Sequence, residues 1–175
     1  MVEIVEQELH KLYTLVYVLN KDKTKILLGL KKRGFGKGRW NGFGGKVEKG
    51  ETIEQGALRE LKEESNLDAK NLEKKGVIYF KFEGDPVIMD VHLYTTTDVS
   101  GDLIETDEML PKWYNVSDLP YSSMWPDDPI WHPWFFEGKI FTVKFFFKAD
   151  LETITGYKHK FASSVSELDA INLDS

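Results

Sequence analysis

The chain alternates between short apolar runs and polar or glycine-rich stretches. Apolar and β-branched residues dominate from 11 to 19 and again from 25 to 30, and the turn-forming sequence Asn20-Lys21-Asp22-Lys23 separates the two runs. This pattern predicts neighbouring strands or a hairpin. Three later runs have the same strand-like composition and add to the predicted sheet: residues 76–82, 87–97 and 139–147.

One segment follows the helical period instead. Thr52 begins the pattern Thr-Ile-Glu-Gln, a capping box that predicts the start of a helix. Beyond it, Ile53, Ala57 and Leu61 form an apolar stripe of the kind that packs a helix against a sheet. Residues 33–45, before this helix, contain six glycines, which predicts a loop with exposed backbone N–H groups.

Strands that alternate with about two helices predict an α/β (α+β) fold, a mixed β-sheet sandwiched between α-helices. A length of 175 residues suits one domain, which we expect to span residues 1–157. We expect residues 158–175 to be a C-terminal extension, either a mobile tail or a short appended helix. The reason is that residues 162–175 are rich in Ser and Asp and hold few large apolar side chains.

Charge and composition exclude several functions. A net charge of −6 argues against binding of a nucleic acid polymer, which requires a basic surface. The chain has no cysteine, so it has neither disulfides nor a thiolate metal site. The acidic N-terminal segment lacks the apolar region of a secretion signal, and no apolar run approaches the roughly 18 residues of a membrane span. We therefore expect a cytoplasmic protein with no membrane partner.

The predicted helix carries an acidic face. Glu60, Glu63 and Glu64 stand at positions i, i+3 and i+4, where like charges repel. Clustered carboxylates suit a hard divalent cation, above all Mg²⁺. The alternative interpretation is a solvated acidic face.

The letters around this cluster resemble the signature of the Nudix hydrolases, G-x5-E-x7-R-E-U-x-E-E-x-G-U, where U is a bulky aliphatic residue. The matching positions are Gly45, Glu51, Arg59, Glu60, Leu61, Glu63, Glu64 and Leu67. Asn66 replaces the glycine of the signature at the helix end, where Asn tolerates a left-handed backbone best among the other residues. We expect the turn to survive this replacement.

The resemblance implies a metal site and residues that support it. Glu60, Glu63 and Glu64 would bind Mg²⁺, with Mn²⁺ as a substitute, and the Gly44 carbonyl would complete the site. Glu108 would add a further acidic ligand from another loop. The ion pair between Arg59 and Glu51 would hold the loop against the helix.

Three further stretches, KKRGFGKGRWNGFGGKV, MDVHLY and SDLPYSSMWPDD, are similar to the branch of the family that hydrolyses oxidised purine nucleoside triphosphates. This resemblance implies Thr14 and Lys31 as nucleotide contacts. It further implies a base pocket formed by Phe35, Asn41, Phe80, Phe82, Met89, Met109, Trp125, Asp127 and Asp128.

Several of these residues have a physical basis for the role. The strand period of two places Phe80 and Phe82 on one face, where both can line a cavity. Trp125 can stack on a base, and the Asn41 amide can bond to its edge.

Asp127 and Asp128 are adjacent carboxylates beside aromatic residues, so at least one should keep a proton. The pair could then accept from a base and donate to it. The alternative is that the prolines and aspartates here form only a turn and a helix cap.

The resulting prediction is a Mg²⁺-dependent hydrolase that converts modified purine nucleoside triphosphates, such as 8-oxo-dGTP and 2-hydroxy-dATP, to the monophosphate and pyrophosphate. The family resemblance implies attack by water at the β-phosphorus, with Glu60 or Glu64 as the base, and a monomer located in the cytoplasm, with mitochondria or the nucleus as further sites. The alternatives are a Nudix hydrolase acting on ADP-ribose, a dinucleoside polyphosphate or an RNA cap, and a non-catalytic nucleotide-binding module. The four histidines lack zinc-site spacing and are interpreted as structural.

Overall fold

The computed structural model describes residues 8–174. Ten strands are present in this range: β1 (Leu9–Leu19), β2 (Lys25–Lys31), β3 (Trp40–Asn41), β4 (Asp68–Ala69), β5 (Glu73–Phe82), β6 (Val87–Thr96), β7 (Val99–Ser100), β8 (Met109–Asn115), β9 (Ile140–Phe147) and β10 (Ile154–Ala162). Two α-helices accompany them, α1 (Ile53–Ser65) and α2 (Asp128–Phe136). Short 3₁₀ helices cover Tyr121–Ser123 and Val165–Ala170.

Eight strands form one mixed sheet in the order β10-β9-β5-β6-β1-β2-β3, with β8 also paired to β2. The β1–β6 and β5–β9 pairs are parallel, and the other pairs of this sheet are antiparallel. The predicted pairing of the first two runs is confirmed, because Val18 of β1 lies opposite Leu27 of β2. β4 and β7 form a separate two-stranded sheet.

The sheet is packed on both faces, which confirms the predicted mixed sheet between helices. Alternation along β1 sends Tyr17 into a core with Trp131 and Phe135 of α2. Val16, its neighbour, lies in a second core with Leu61 of α1. Each helix therefore covers a different face of the same strands.

The structure forms both predicted ends of α1. The Thr52 side chain accepts a hydrogen bond from the Gln55 amide, and the Gln55 side chain accepts one from the Thr52 amide. Asn66 closes the helix with φ of 65°, and its side chain donates to the Asp102 carbonyl at 2.8 Å. The Asn66 position therefore keeps the left-handed turn of the signature glycine, as expected.

The C-terminal part differs from the expected extension. The predicted boundary after residue 157 falls inside β10, which pairs with β9 along its length. Leu168 and Leu173 are buried beyond it. The segment 158–174 thus continues the sheet and covers it, because a few apolar residues among many polar ones are enough to anchor an edge strand.

No helix within residues 8–174 is long and apolar enough to cross a membrane.

Candidate active site

A cavity of about 500 Å³ opens between the sheet, the glycine-rich loop and the start of α2. Its volume lies in the range that holds a small ligand. Every residue that the sequence predicted to contact a nucleotide lines it: Thr14, Lys31, Phe35, Asn41, Phe80, Phe82, Met89, Met109, Trp125, Asp127 and Asp128. Gly44, Glu64 and Glu108 of the predicted metal site line it as well.

Aromatic rings form the walls of this cavity. Phe80 and Phe82 project from the same face of β5, with ring centroids 6.3 Å apart and planes within 9°. Phe35 lies 5.1 Å from the Trp125 ring. The Arg39 guanidinium stands 4.0 Å above the Trp125 centroid. Flat apolar surfaces of this kind suit a planar ligand.

Asp127 and Asp128 are almost completely buried at the start of α2. Trp131 donates a hydrogen bond from Nε1 to Asp127 Oδ2 at 2.9 Å. Asp127 Oδ1 and Asp128 Oδ2 have no hydrogen-bond partner among residues 8–174. The Asp127 side chain makes no capping bond to the helix, so a helix cap does not account for it.

Burial raises the pKa of both carboxyl groups. The pKa of Asp127 rises to about 6, although the Trp131 hydrogen bond opposes the shift. For Asp128, burial and the neighbouring Asp127 carboxylate together raise the pKa well above its usual value. The pair therefore keeps a proton near neutral pH and offers both a donor and an acceptor.

Asn41 lies on β3 beside the loop. Its amide oxygen accepts a hydrogen bond from the Gly42 amide at 2.8 Å, which fixes the orientation of the side chain. Lys31, on the adjacent β2, reaches the acidic end of the cavity. Its Nζ lies 3.4 Å from Glu108 Oε2 and 3.7 Å from Glu64 Oε2. It therefore balances part of the negative charge there.

Glu64 is the most enclosed carboxylate of α1. It is 2% exposed, and its Oε1 accepts a hydrogen bond from the Gly44 amide at 2.8 Å. Burial raises the pKa of Glu64 to about 7 against the effects of Gly44 and Lys31. Burial also raises the pKa of Glu60, while Arg59 opposes that shift.

Arg59 connects α1 to the preceding loop. It donates to Glu51 from Nε and Nη2, at 3.1 and 2.7 Å, and to the Lys46 carbonyl at 3.0 Å. Its Nη1 contacts Glu60 at 2.9 Å and Glu63 at 3.3 Å. The bidentate Arg59 contact lowers the pKa of Glu51 to about 2. Arg59 therefore fixes the loop and neutralises part of the acidic face.

Two glycines allow the loop to approach closely. A Cβ at Gly44 would lie 1.8 Å from the Thr14 carbonyl, and one at Gly45 would lie 2.6 Å from Glu60 Oε1. The carbonyls of Phe43 and Gly45 accept from β1. Because backbone groups alternate along an extended chain, the Gly44 carbonyl between them faces away from β1, on the side where its own N–H meets Glu64.

The donor set fits a hard cation, although its side chains are spread apart in this arrangement. Within residues 8–174, no three His, Asp or Glu side chains converge closely enough to hold a metal ion. Arg59 and Lys31 contact the carboxylates instead. The oxygen ligands and the raised pKa of Glu64 nonetheless favour added positive charge, which Mg²⁺ supplies.

The sequence missed part of the site. Arg39 and Trp131 line the cavity, although only Trp131 gave a local signal, since it lies four residues after Asp127 on a helix. Conversely, four predicted residues on α1 and the loop before it are not part of the cavity lining: Glu51, Arg59, Glu60 and Glu63.

The chain is similar to known proteins over most of its length. The family model described as the NUDIX domain matches residues 9–135. The oxidized purine nucleoside triphosphate hydrolase of Mus musculus is 50% identical over 147 residues, which cover 84% of this chain and 92% of the relative. The protein of the same name from Danio rerio is 49% identical over 79% of this chain and 87% of its own length.

The fold has a counterpart among solved structures. The MutT protein of Bacillus halodurans aligns with a TM-score of 0.72 at 24% identity, covering 86% of this chain and 97% of that protein. This likeness concerns the fold alone.

Proposed function

The chain belongs to the NUDIX family, and from that premise we propose that it is a pyrophosphohydrolase of modified purine nucleoside triphosphates. The products are the nucleoside monophosphate and pyrophosphate. The observation that carries this choice is the buried pair Asp127 and Asp128 at the aromatic end of a cavity whose other end is acidic. The Mus musculus and Danio rerio relatives bear names for the same activity.

The aspartate pair suits purines that carry an oxygen and an amine at C6 and C2 in either order. 8-oxo-dGTP carries an oxygen at C6 and an amine at C2, whereas 2-hydroxy-dATP carries the amine at C6 and the oxygen at C2. One protonated and one ionised carboxyl group can complement either order, depending on which Asp holds the proton. Trp125, Phe35 and the β5 phenylalanines supply flat surfaces for the ring.

The acidic end suits the phosphates once a cation is bound. Glu60, Glu63, Glu64 and the Gly44 carbonyl would hold Mg²⁺, with Glu108 as a further ligand and Mn²⁺ as a substitute. When bound, the ion neutralises charge on the phosphates. Lys31, which contacts Glu64 and Glu108 in this structure, would then be released toward the phosphates.

The remaining groups orient the reactants. Arg59 holds Glu51 and the loop, so the Gly44 carbonyl and the α1 carboxylates keep a common direction. Glu60 or Glu64 accepts a proton from the water that attacks the β-phosphorus. Cleavage of the bond to the bridging oxygen releases the monophosphate, and no covalent intermediate with the protein forms.

A substrate panel tests this function. 8-oxo-dGTP has an N7–H donor and a C8 oxygen that dGTP lacks, and 2-hydroxy-dATP has a C2 oxygen that dATP lacks. We expect kcat/KM for each modified purine to exceed that for its unmodified parent by about tenfold or more, the factor that one added hydrogen bond supplies. Pyrophosphate release with Mg²⁺ measures each rate. Faster hydrolysis of ADP-ribose or a dinucleoside polyphosphate would assign the chain to another substrate class. Absence of hydrolysis with tight nucleotide binding would make it a binding module.

A further inference from the structure

A buried polar cluster lies directly behind the aspartate pair. We call it the Tyr-His-Tyr cluster, formed by Tyr17 of β1, Tyr121 of the 3₁₀ helix and His132 of α2. His132 Nε2 shares a hydrogen bond of 2.7 Å with the Tyr17 hydroxyl, and its Nδ1 shares one of 2.9 Å with the Tyr121 hydroxyl. Tyr17 and His132 are fully buried, whereas Tyr121 is 38% exposed. The cluster thus leads from the interior to the surface.

The inner end of the cluster meets Asp128. His132 Nε2 lies 3.7 Å from Asp128 Oδ1, one helical turn earlier on α2. Tyr17 stacks on Trp131, the residue that donates to Asp127, with centroids 5.5 Å apart. Among the described residues that line the cavity, none belongs to the cluster. Any influence on a bound base must therefore pass through the aspartates or through Trp131, which lines the cavity.

The cluster occupies positions where packing alone would favour apolar rings. Tyr17 contacts Phe135 edge-on at 5.3 Å, and His132 contacts Phe136 at 5.7 Å. A phenol and an imidazole placed among such rings need hydrogen-bond partners, which they find in each other. Packing alone does not explain polar side chains at these positions, because phenylalanine would fill the same space. Their position beside two carboxyl groups indicates an electrostatic role.

A neutral imidazole can complement either state of Asp128. Burial lowers the pKa of His132 to about 3, so the ring is uncharged near neutral pH. With Asp128 ionised, Nε2 carries the hydrogen and Nδ1 accepts from the Tyr121 hydroxyl. With Asp128 protonated, Nε2 accepts from the Tyr17 hydroxyl, and Nδ1 carries the hydrogen and donates to Tyr121, so no imidazole N–H faces the neutral carboxyl group 3.7 Å away.

The change between these states adds one proton. Asp128 takes this proton from solvent through the cavity that it lines. The imidazole exchanges the hydrogen on Nε2 for one on Nδ1, so its own proton count is unchanged, and the exposed edge of Tyr121 connects Nδ1 to solvent for this exchange. Net uptake is one proton from solvent to Asp128, and the imidazole stays neutral.

We propose that Tyr17, His132 and Tyr121 are positioning residues that set whether the shared proton lies on Asp127 or on Asp128, and thereby set the purine preference of the cavity. The choice of purines rests on the function proposed above. The titratable and charged groups facing the pair are Tyr17 from β1, Tyr121 from the 3₁₀ helix, His132 from α2 and Arg39 from the glycine-rich loop. Arg39 favours the ionised form of both aspartates and Trp131 donates to Asp127, whereas the polar cluster lies beside Asp128.

Substitutions that remove a hydroxyl or the imidazole but keep an aromatic ring at the position test this proposal. The variants are Y17F, H132F, Y121F and the triple Y17F/H132F/Y121F. The triple variant removes all three polar groups together, so no remaining member of the cluster loses its hydrogen-bond partner. Tyr157→Phe and His159→Phe are matched controls, because both residues are exposed on β10 and neither lines the cavity. NMR titration of the Asp128 carboxyl carbon needs no substrate.

The expected shift has a definite sign. Phenylalanine offers no N–H or O–H dipole to stabilise an ionised carboxylate 3.7 Å away, so the pH midpoint of Asp128 should rise by about one unit in the triple variant and less in the single ones. The controls should match the unmodified chain. An Asp128 midpoint that stays within about 0.3 units of the original in the triple variant would overturn the proposal, since apolar surroundings must raise it.

Kinetics provide the second measurement. The ratio of kcat/KM for 8-oxo-dGTP to that for 2-hydroxy-dATP should change by about tenfold in the triple variant, the factor of one pKa unit. KM should change more than kcat, because the cluster acts on base binding. A purely structural role would lower both rates together and leave the ratio unchanged, which would contradict the proposal.

Failure of this proposal can be distinguished from failure of the proposed function. If the triple variant fails to fold, Y121F decides, because it removes only a half-exposed hydroxyl; an unchanged Asp128 midpoint in Y121F then overturns the proposal. If the unmodified chain hydrolyses neither purine, the proposed function fails, while the NMR titration still decides whether the cluster controls the proton.

Discussion

At the residue scale, the cavity contains buried carboxyl groups at two separate points. Glu64 lies on α1 beside the glycine-rich loop, and Asp127 and Asp128 begin α2. Burial is the main cause of the raised pKa at all three positions. Buried acids with raised pKa values cluster at functional sites. On the proposed function, Glu64 would mark the phosphate end and the aspartates the base end of one ligand site.

Replacing Glu64 by Gln tests the phosphate end. The amide retains the size of the side chain and an acceptor for the Gly44 N–H, but it removes a charge that Mg²⁺ requires. We expect kcat for 8-oxo-dGTP to fall by about 100-fold or more, measured as pyrophosphate release. Glu54→Gln, at an exposed position of the same helix, should keep the original rate. Undiminished release by E64Q would exclude Glu64 from catalysis.

The pH dependence of stability tests the base end. The folded chain holds Asp127 with a pKa of about 6, above its usual value of 3.8. Protons are thus bound more tightly in the folded state, so this group lowers stability above pH 6, and the loss is recovered as the pH falls from about 6 to 4.

Asp127→Asn should therefore raise the free energy of unfolding at pH 7.5 by on the order of 2 kcal/mol, and by about half as much at pH 5. Urea denaturation at both values measures the difference. Asp22→Asn should behave in the opposite direction, because hydrogen bonds from Thr24 lower the pKa of Asp22. Equal effects of D127N on the free energy of unfolding at the two pH values would contradict a raised pKa of Asp127 in the folded state.

At the element scale, sequence patterns that span a few residues were sufficient to locate five strands and one helix. The apolar period located β1, β2, β5, β6 and β9, and the capping box located α1. The left-handed Asn66 followed from backbone sterics. These features depend on residues a few positions apart, so a sequence alone contains them.

Other elements depend on contacts distant in sequence. α2 was not located, because its segment contains Pro129 and Pro133, which weaken a helical pattern. β10 was not predicted, because Lys158, His159 and Lys160 make it polar, as an exposed edge strand permits. The Tyr-His-Tyr cluster joins three distant segments with no shared spacing. The cavity lining, in contrast, could be predicted only through the family resemblance.

The C-terminal segment gives a prediction at this scale. Leu168 is 3% exposed in the 3₁₀ helix that packs against β5, β9 and β10. Leu168→Ala should lower the free energy of unfolding by about 2 to 3 kcal/mol because it leaves a cavity. Val165→Ala, 40% exposed in the same turn, should change it by less than about 0.5 kcal/mol. Equal unfolding midpoints for the two variants would show that this segment does not contribute to the stability of the folded domain.

At the scale of the whole molecule, one sheet unites two chemically different ends. The aromatic end and the aspartate pair suit a base, and the acidic face of α1 suits a cation with phosphates. The net charge of −6 repels a triphosphate unless cations intervene. Binding of the nucleotide and of Mg²⁺ should therefore be coupled, each strengthening the other.

Calorimetric titration of Mg²⁺ into the protein, with and without a non-hydrolysable analogue of 8-oxo-dGTP, tests this coupling most directly. Binding should be weak for the protein alone and about tenfold tighter with the analogue, a typical coupling between linked sites. E64Q should abolish most of that gain, and E54Q should preserve it. Absence of Mg²⁺ binding in both titrations of the unmodified protein would contradict the assignment of α1 as a metal site.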